Sequence, residues 1–405
     1  MPQMPINAYL RPDGRKGIRN QVLVAYLVEC AHHVAREITY PYREQGAQLI
    51  GFSGCYPNPY SFRMMTQLCS HPNVGGVLLI SLGCEGFDRN ALMEKIRESG
   101  RPVELLVIQQ SGGTSRTIRE GRAKVEAIID EISHVPRTGM SINELIVGTV
   151  CGGSDGTSGI TANPAVGLSF DHLVAEGGTA IFEETGELIG CEHIMAARAA
   201  TPELGTALEQ CVGKAAVYYS TMGHGSFSPG NADGGLTTQE EKSMGAYAKS
   251  GSSRISGIIK PGDVPEKGGL YLLDVVPDGE PRFGFPNIND TAEIAELIAC
   301  GSHLVLFATG RGSVVGSVIS PVIKVCANPE TYRNMEEDMD VDAGRILEGR
   351  GTLPEVGQEI YDTVLRVAAG AKSRSEELGH QEFVLTYKSF DPSVPIGPSC
   401  FPNDL

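Results

Sequence analysis

The feature that most constrains this chain is an alternation of two periodicities that begins at residue 21. QVLVAYLV is apolar almost throughout and reads as a buried strand, whereas CAHHVAREITYPYREQG after it reads as a helix. The pattern repeats in QLIGFS, VGGVLLISLG and VELLVIQ, which read as strands, and in SFRMMTQLCSH, FDRNALMEKIRESG and TSRTIREGRAKVEAIIDEIS, which read as helices. Strands this apolar, separated by helices, predict a parallel sheet covered on both faces. RTGMSINEL then reads as a linker, and the same grammar resumes in ELIVGTV, GTAIF, GLYLLDVV and HLVLFA. The expected fold is therefore α/β: two Rossmann-like parallel-sheet domains, with ligand loops at the strand carboxyl ends. The expected boundaries are 1–140 for the first domain and 141–405 for a C-terminal catalytic domain with an extended tail, SFDPSVPIGPSCFPNDL. A chain of 405 residues is long enough for two such cores.

A net charge of −16 argues against a nucleic acid or an anionic membrane as partner, since both would be repelled at long range. A small anion remains compatible where a pocket is locally basic. No run approaches the roughly 20 apolar residues that span a bilayer, and the N-terminus has no secretory pattern, so a cytoplasmic location is expected. Ten cysteines without CxxC pairs then read as thiols, most of them small buried hydrophobes such as Cys69 and Cys211.

Polar residues cluster where the apolar runs end. In the first half these are Glu29 and Cys30, Gly54 and Cys55, then Gly83, Cys84 and Glu85. Cys55, Cys84 and Glu85 are the candidate metal ligands of this set. In the second half LIVGTV runs into CGGSDGTSGITANP, where Asn163 and Pro164 read as the cap and first residue of a helix. The amides of Gly152, Gly153 and Ser154, with the Ser154 and Ser158 hydroxyls, are candidates to hold a small oxyanion, and Asn163 lies beside them. EETGE (183–187) places carboxylates at another strand end, as bases or cation ligands. The stretch 228–253 reads as a long glycine-rich lid or linker that carries Asn231, Lys242 and Lys249. Arg311, between glycines in TGRGS, suits a two-pronged grip on a carboxylate or sulfonate. Together these groups suit proton abstraction beside a carboxylate with loss of a β-substituent. Glu184 and Lys242 are the candidate bases, and Asp155 would orient either of them.

YLRPDGRKGIRN, HPNVGGVLLISLGCE, CGGSDGTSGITANP, SPGNADGGLTTQEEKS and FATGRGS, in this order, resemble the altronate and galactarate dehydratase family over about residues 8–385. The resemblance implies a metal-dependent lyase that acts on hydroxy acids. Many sugar-acid dehydratases of the family carry a small N-terminal domain with site histidines; here the first family motif begins within ten residues of the start, which implies a separate small α subunit. Gly51 stands where those enzymes commonly have a histidine four residues before the cysteine. LVECAHHVAREI is similar to the sulfolactate branch of the family, which implies iron (Fe2+), sulfite release from (2R)-3-sulfolactate, a sulfonate held by Arg63 or Arg311, and a higher oligomer. The alternatives are a two-subunit sugar-acid dehydratase and a noncatalytic binding or iron–sulfur subunit, the latter requiring Cys30, Cys55 and Cys84 to meet in space.

Overall fold

The computed structural model describes residues 5–223, 228–278 and 289–390. The chain forms two compact units, one of residues 7–139 together with the chain from 383 onward, the other of residues 140–382 together with the first six residues. Both are α/β with parallel sheets, as the alternation predicts.

In the unit of residues 7–139, a small sheet of Ile6–Leu10 (β1), Lys16–Gly17 (β2) and Arg137–Met140 (β7) has the order β2-β1-β7. The main sheet holds Gln21–Tyr26 (β3), Ala47–Gly51 (β4), Val74–Ser81 (β5) and Val103–Val107 (β6) in the order β4-β3-β5-β6, all parallel. All eight residues of β5 are buried, which is why it lacks any polar alternation. Val22, Val24, Leu78, Ile80 and Leu106 from the sheet pack with Ile38, Val125 and Ile128 from helices His32–Thr39 and Thr114–Ser133. Burying each such side chain contributes about 1.5–3 kcal/mol.

The unit of residues 140–382 is built on a seven-stranded sheet. Its strands are Ile146–Cys151 (β8), Thr179–Phe182 (β9), Ile255–Ile259 (β10), Gly269–Leu273 (β11), Leu304–Thr309 (β12), Val322–Cys326 (β13) and Val341–Asp342 (β14). The order is β10-β11-β9-β8-β12-β13-β14, parallel throughout. From β8 the chain builds one side of the sheet with β9, the edge strand β10 and then β11 between them, and builds the other side with β12, β13 and β14, so the order reverses between β8 and β12. In open parallel sheets such a reversal, at the strand carboxyl ends, is where ligands bind.

Four expectations change. RTGMSINEL does carry the chain from one unit to the other, between residues 139 and 140, but its first residues also form β7 and pair beside β1. The stretch 228–253 is mostly helical, with helices Pro229–Asp233 and Gln239–Ala248; the second starts on a reciprocal capping box between Thr238 and Glu241. Asn163 caps nothing: the helix runs Ala162–Ala175, and the Asn163 amide donates to the Gly245 carbonyl at 2.9 Å. β10 and β13 were not expected, the first because it is half-exposed, the second because Lys324 interrupts its apolar run while being fully buried. Of the expected extended tail, residues 391–405 lie outside the described residues. Cys69 and Cys211 are buried, as expected. Among the described residues no helix is long and apolar enough to cross a membrane.

Candidate active site

The strand carboxyl ends of the seven-stranded sheet gather a buried set of acids, amines and a thiol. β8 delivers Cys151 as its last residue, and β9 delivers EETGE immediately after its end. Glu184 has φ 75°, the one non-glycine residue in the left-handed region among the described residues. That conformation costs on the order of 1–3 kcal/mol and concentrates at functional sites. Glu187 follows in the short helical turn Thr185–Leu188. Helix Gln239–Ala248 supplies Lys242, and Lys249 caps its end. The two lysines are seven residues apart, two turns, and so lie along one face.

Close backbone approach brings this helix in. A Cβ on Gly159 would meet the Gly245 Cα at 2.9 Å, so the glycine-rich loop and the lysine helix touch main chain to main chain. Gly152 is equally constrained, since a Cβ there would lie 2.0 Å from the Asp290 carboxylate. The glycines after β8 thus admit neighbouring chain and side chains at distances that a larger residue forbids.

Within the set, the Cys151 thiol donates to Glu187 at 3.2 Å and accepts from Ser154 Oγ and Lys242 Nζ, each at 3.3 Å. Lys242 also bonds Ser154 Oγ at 2.9 Å and pairs with Glu187 at 2.5 Å. Lys249 pairs with Glu184, whose carboxylate also accepts the Cys151 amide at 3.1 Å. Lys242 is 3% and Lys249 1% exposed, so both charges are removed from water and depend on these partners.

The electrostatics separate the acids. Burial would raise Glu184, but Lys249 and Lys242 outweigh it and hold the carboxyl below its ordinary value. Burial and the neighbouring Glu184 push Glu187 up to about 7. Burial, then Glu293 and Glu184, push Glu183 well above the ordinary range. Burial with Glu184 and Glu187 pushes the Cys151 thiol up to about 12, so it is protonated at neutral pH. For both lysines burial disfavours the ammonium, but Cys151 and the carboxylates reverse that and keep them charged. One ionised carboxylate beside another poised near neutrality is the division of labour that acid–base chemistry needs.

Glu184, Lys242 and Ser154 therefore meet in one place, as the sequence suggests. The remaining candidates border it. Asp155 is buried with both oxygens engaged: one accepts from Thr157 N, Thr157 Oγ1 and Ser158 Oγ, the other from Asn328 Nδ2 at 2.8 Å. It holds the loop shape, and Ser158 is spent on it. The Gly152 amide donates to the Ala308 carbonyl, so it is not available to an anion, whereas the Gly153 carbonyl accepts from the Gly310 and Arg311 amides. Arg311 is exposed at this edge, its guanidinium bonded to the Gly230 carbonyl. Asn163 and Asn231 each carry a buried side-chain oxygen with no hydrogen-bond partner among the described residues. Cys151, Glu187 and Lys249 complete the set. Glu187 was visible only as part of EETGE, and Cys151 read as one more strand-end cysteine.

Two groups of donors lie close enough for a metal ion among the described residues, Cys151 with Glu184 and Glu187, and Glu183 with Glu184 and Glu293. Cys55, Cys84 and Glu85, the ligand set expected from the sequence, are not one of these groups. Although the Gly86 amide bonds the Cys55 carbonyl at 2.8 Å, the two thiols are exposed while Glu85 is turned inward to accept the Gly83 amide. Arg63 lies exposed on helix Pro59–Cys69 in the same unit of residues 7–139.

Comparison with known proteins matches residues 142–390 to the C-terminal region of D-galactarate/altronate dehydratases and residues 8–133 to the second domain of D-galactarate dehydratase/altronate hydrolase. The chain is 34% identical over 396 residues to the (2R)-sulfolactate sulfo-lyase subunit beta of Chromohalobacter salexigens, covering 93% of this chain and 96% of that one. It is 29% identical to the altronate dehydratase of Escherichia coli, across 94% of this chain and 77% of the relative. It is 33% identical to the E. coli galactarate dehydratase (L-threo-forming), across 76% of this chain and 59% of that enzyme. With both units matched in order and a buried acid–amine set at the strand ends, the chain belongs to the D-galactarate/altronate dehydratase family and is a lyase.

Proposed function

We propose that this chain is the large subunit of a metal-dependent carbon–sulfur lyase that eliminates sulfite from (2R)-3-sulfolactate to give pyruvate. The observation that carries the reading is the buried Glu184–Lys249 and Glu187–Lys242 pairing around Cys151, joined through Ser154 to the loop that meets Arg311. Likeness over nearly the full length of a chain named as a sulfo-lyase β subunit supports the substrate, and supports a small α subunit as partner. The holoenzyme is then a heteromer, a higher oligomer of both chains. Nine cysteine thiols among the described residues suit the reducing cytoplasm.

In this reaction Glu187 takes the proton from C2, beside the substrate carboxylate. The charge gained by that carboxylate as the enediolate forms is met by the Lys242 ammonium, which already spans Glu187, Ser154 and Cys151. The C3–S bond then breaks, its electron pair leaves with sulfite, and the resulting enol takes a proton at C3 to become pyruvate. Arg311, exposed beside Gly153 and Gly230, grips the sulfonate, with the oxygen of Asn163 or Asn231 available to the single C2 hydroxyl. Glu184, fixed by Lys249 and the Cys151 amide, holds the cluster in register. Iron(II), the cofactor of this reading, supplies Lewis-acid stabilisation of substrate oxygens when bound.

The test is product identification. The chain, copurified with any small protein encoded beside it and supplied with ferrous iron, is offered (2R)-3-sulfolactate, D-altronate and galactarate in parallel. Stoichiometric sulfite and pyruvate are expected from sulfolactate. A keto-deoxy acid from a sugar acid, without sulfite, would make hydroxide the leaving group of the same elimination and return the chain to the dehydratase activity of its 29–33% identical relatives.

A further inference from the structure

Glu183 is the acid that the proton transfer above leaves unused. It follows β9 directly, is 1% exposed, and neither of its carboxylate oxygens has a hydrogen-bond partner among the described residues. A buried carboxylate without donors or a counter-charge is strongly disfavoured, so it must either keep its proton or hold a cation. Its surroundings separate these two outcomes.

Successive residues of an extended strand point to opposite faces, yet Glu183 and Glu184 belong to one cluster, because the chain turns left-handed at Glu184. Glu293, in the first turn of helix Asp290–Ala299 and 2% exposed, completes it: one carboxylate oxygen from each of the three lies within 4.8 Å of the others. The wider neighbourhood holds five carboxyl groups, Glu183, Glu184, Glu187, Asp290 and Glu293, against two amines, Lys242 and Lys249. Both amines are committed, Lys242 to Glu187 and Lys249 to Glu184, and neither bonds Glu183. Protons on single carboxyls can lower this excess but leave the orphaned oxygens of Glu183 unsatisfied. One divalent cation removes two charges and satisfies them together.

We propose that Glu183, Glu184 and Glu293 bind a divalent cation of the hard, oxygen-preferring class, to which Mg2+, Mn2+ and Fe2+ belong. The donor set is all oxygen, and Cys151 stands outside it. Three carboxylates leave coordination positions open, the arrangement of a site that takes water or a substrate oxygen. The cation's use in catalysis rests on the function proposed above; its binding does not.

The probe is Mn2+, titrated into the metal-stripped 405-residue chain without substrate and followed by electron paramagnetic resonance of the free ion. The wild type is expected to bind about one Mn2+ per chain, and Glu183→Gln and Glu293→Gln each to weaken that by at least about tenfold. A thermal-shift measurement supplies a second readout. Metal-free Glu183→Gln should melt at or above the wild-type temperature, since a neutral amide needs no proton uptake to be buried there, and only the wild type should gain stability on adding Mn2+. No Mn2+ binding by the wild type, or equal binding by Glu183→Gln, would overturn the assignment. So would loss of binding in Cys151→Ser with Glu183→Gln unaffected, which would move the ion to the thiol-containing group. Intact Mn2+ binding without sulfite release would sink the substrate reading and leave this site standing.

Discussion

At the level of single residues, the site depends on charges that cannot be removed one at a time. Lys249 is fully buried against Glu184, so Lys249→Met strands a carboxylate in a water-free environment. The expected loss is about 3–5 kcal/mol, measured as a lowered urea midpoint, and an unchanged midpoint would show that Glu184 is not held as an ion. This pairing was only partly legible in the sequence. EETGE announced carboxylates at a strand end, and Lys242 and Lys249 stood out in a polar stretch, but which lysine meets which glutamate depends on two contacts without sequence signature. One is the left-handed turn at Glu184, a residue that gives no local warning of it. The other is the Gly159–Gly245 approach between positions 86 apart in the chain, which fixes the lysine helix against the loop. Asp155 shows the converse. Its place in a glycine-rich loop suggested chemistry, whereas Thr157, Ser158 and Asn328 take up both its oxygens and make it the brace of that loop.

Among the elements, the alternation of apolar runs and amphipathic helices located nearly every central strand, because strands buried on both faces admit almost no polar residue. The misses lie where another force sets the conformation. Lys324 sits in β13 at full burial because its ammonium reaches His380 Nδ1 at 2.9 Å, an interaction between positions 56 apart. Residues 228–253 looked like a lid because of their glycines, while the capping box at Thr238 starts a helix that tertiary packing then stabilises. The hairpin of β1 and β2 is tied down by Asp13, which accepts from Arg15 and, at 2.8 Å, from the buried Arg101. Burial would raise Asp13, but the two guanidiniums outweigh it and lower the carboxyl to about 2. A depressed carboxyl contributes stability that is complete above its ordinary value near 4 and is lost as pH falls through about 2. Asp13→Asn should therefore cost about 1–2 kcal/mol at neutral pH after allowance for solvent screening, the gap narrowing below pH 4. Urea titrations at several pH values check this, and a gap independent of pH would refute it.

Across the whole molecule, a net charge of −16 opposes a dianionic substrate at long range, while Lys242, Lys249 and Arg311 act only at short range. Screening removes the first effect more than the second, so kcat/KM for sulfolactate should rise as salt increases toward about 0.1 M. A monotonic fall would mean that the basic edge dominates approach as well as binding. The central claim is narrower: elimination occurs at the carboxyl ends of β8 and β9, with Glu187 as the base. The most direct test is kcat for Glu187→Gln in the iron-loaded two-subunit enzyme, with melting temperature measured alongside. A fall of about 10²–10⁴-fold in a variant that is still folded at the assay temperature, its melting temperature lowered because the buried Lys242 loses a partner, is the predicted result. Wild-type turnover by the folded variant would contradict it and place the base elsewhere.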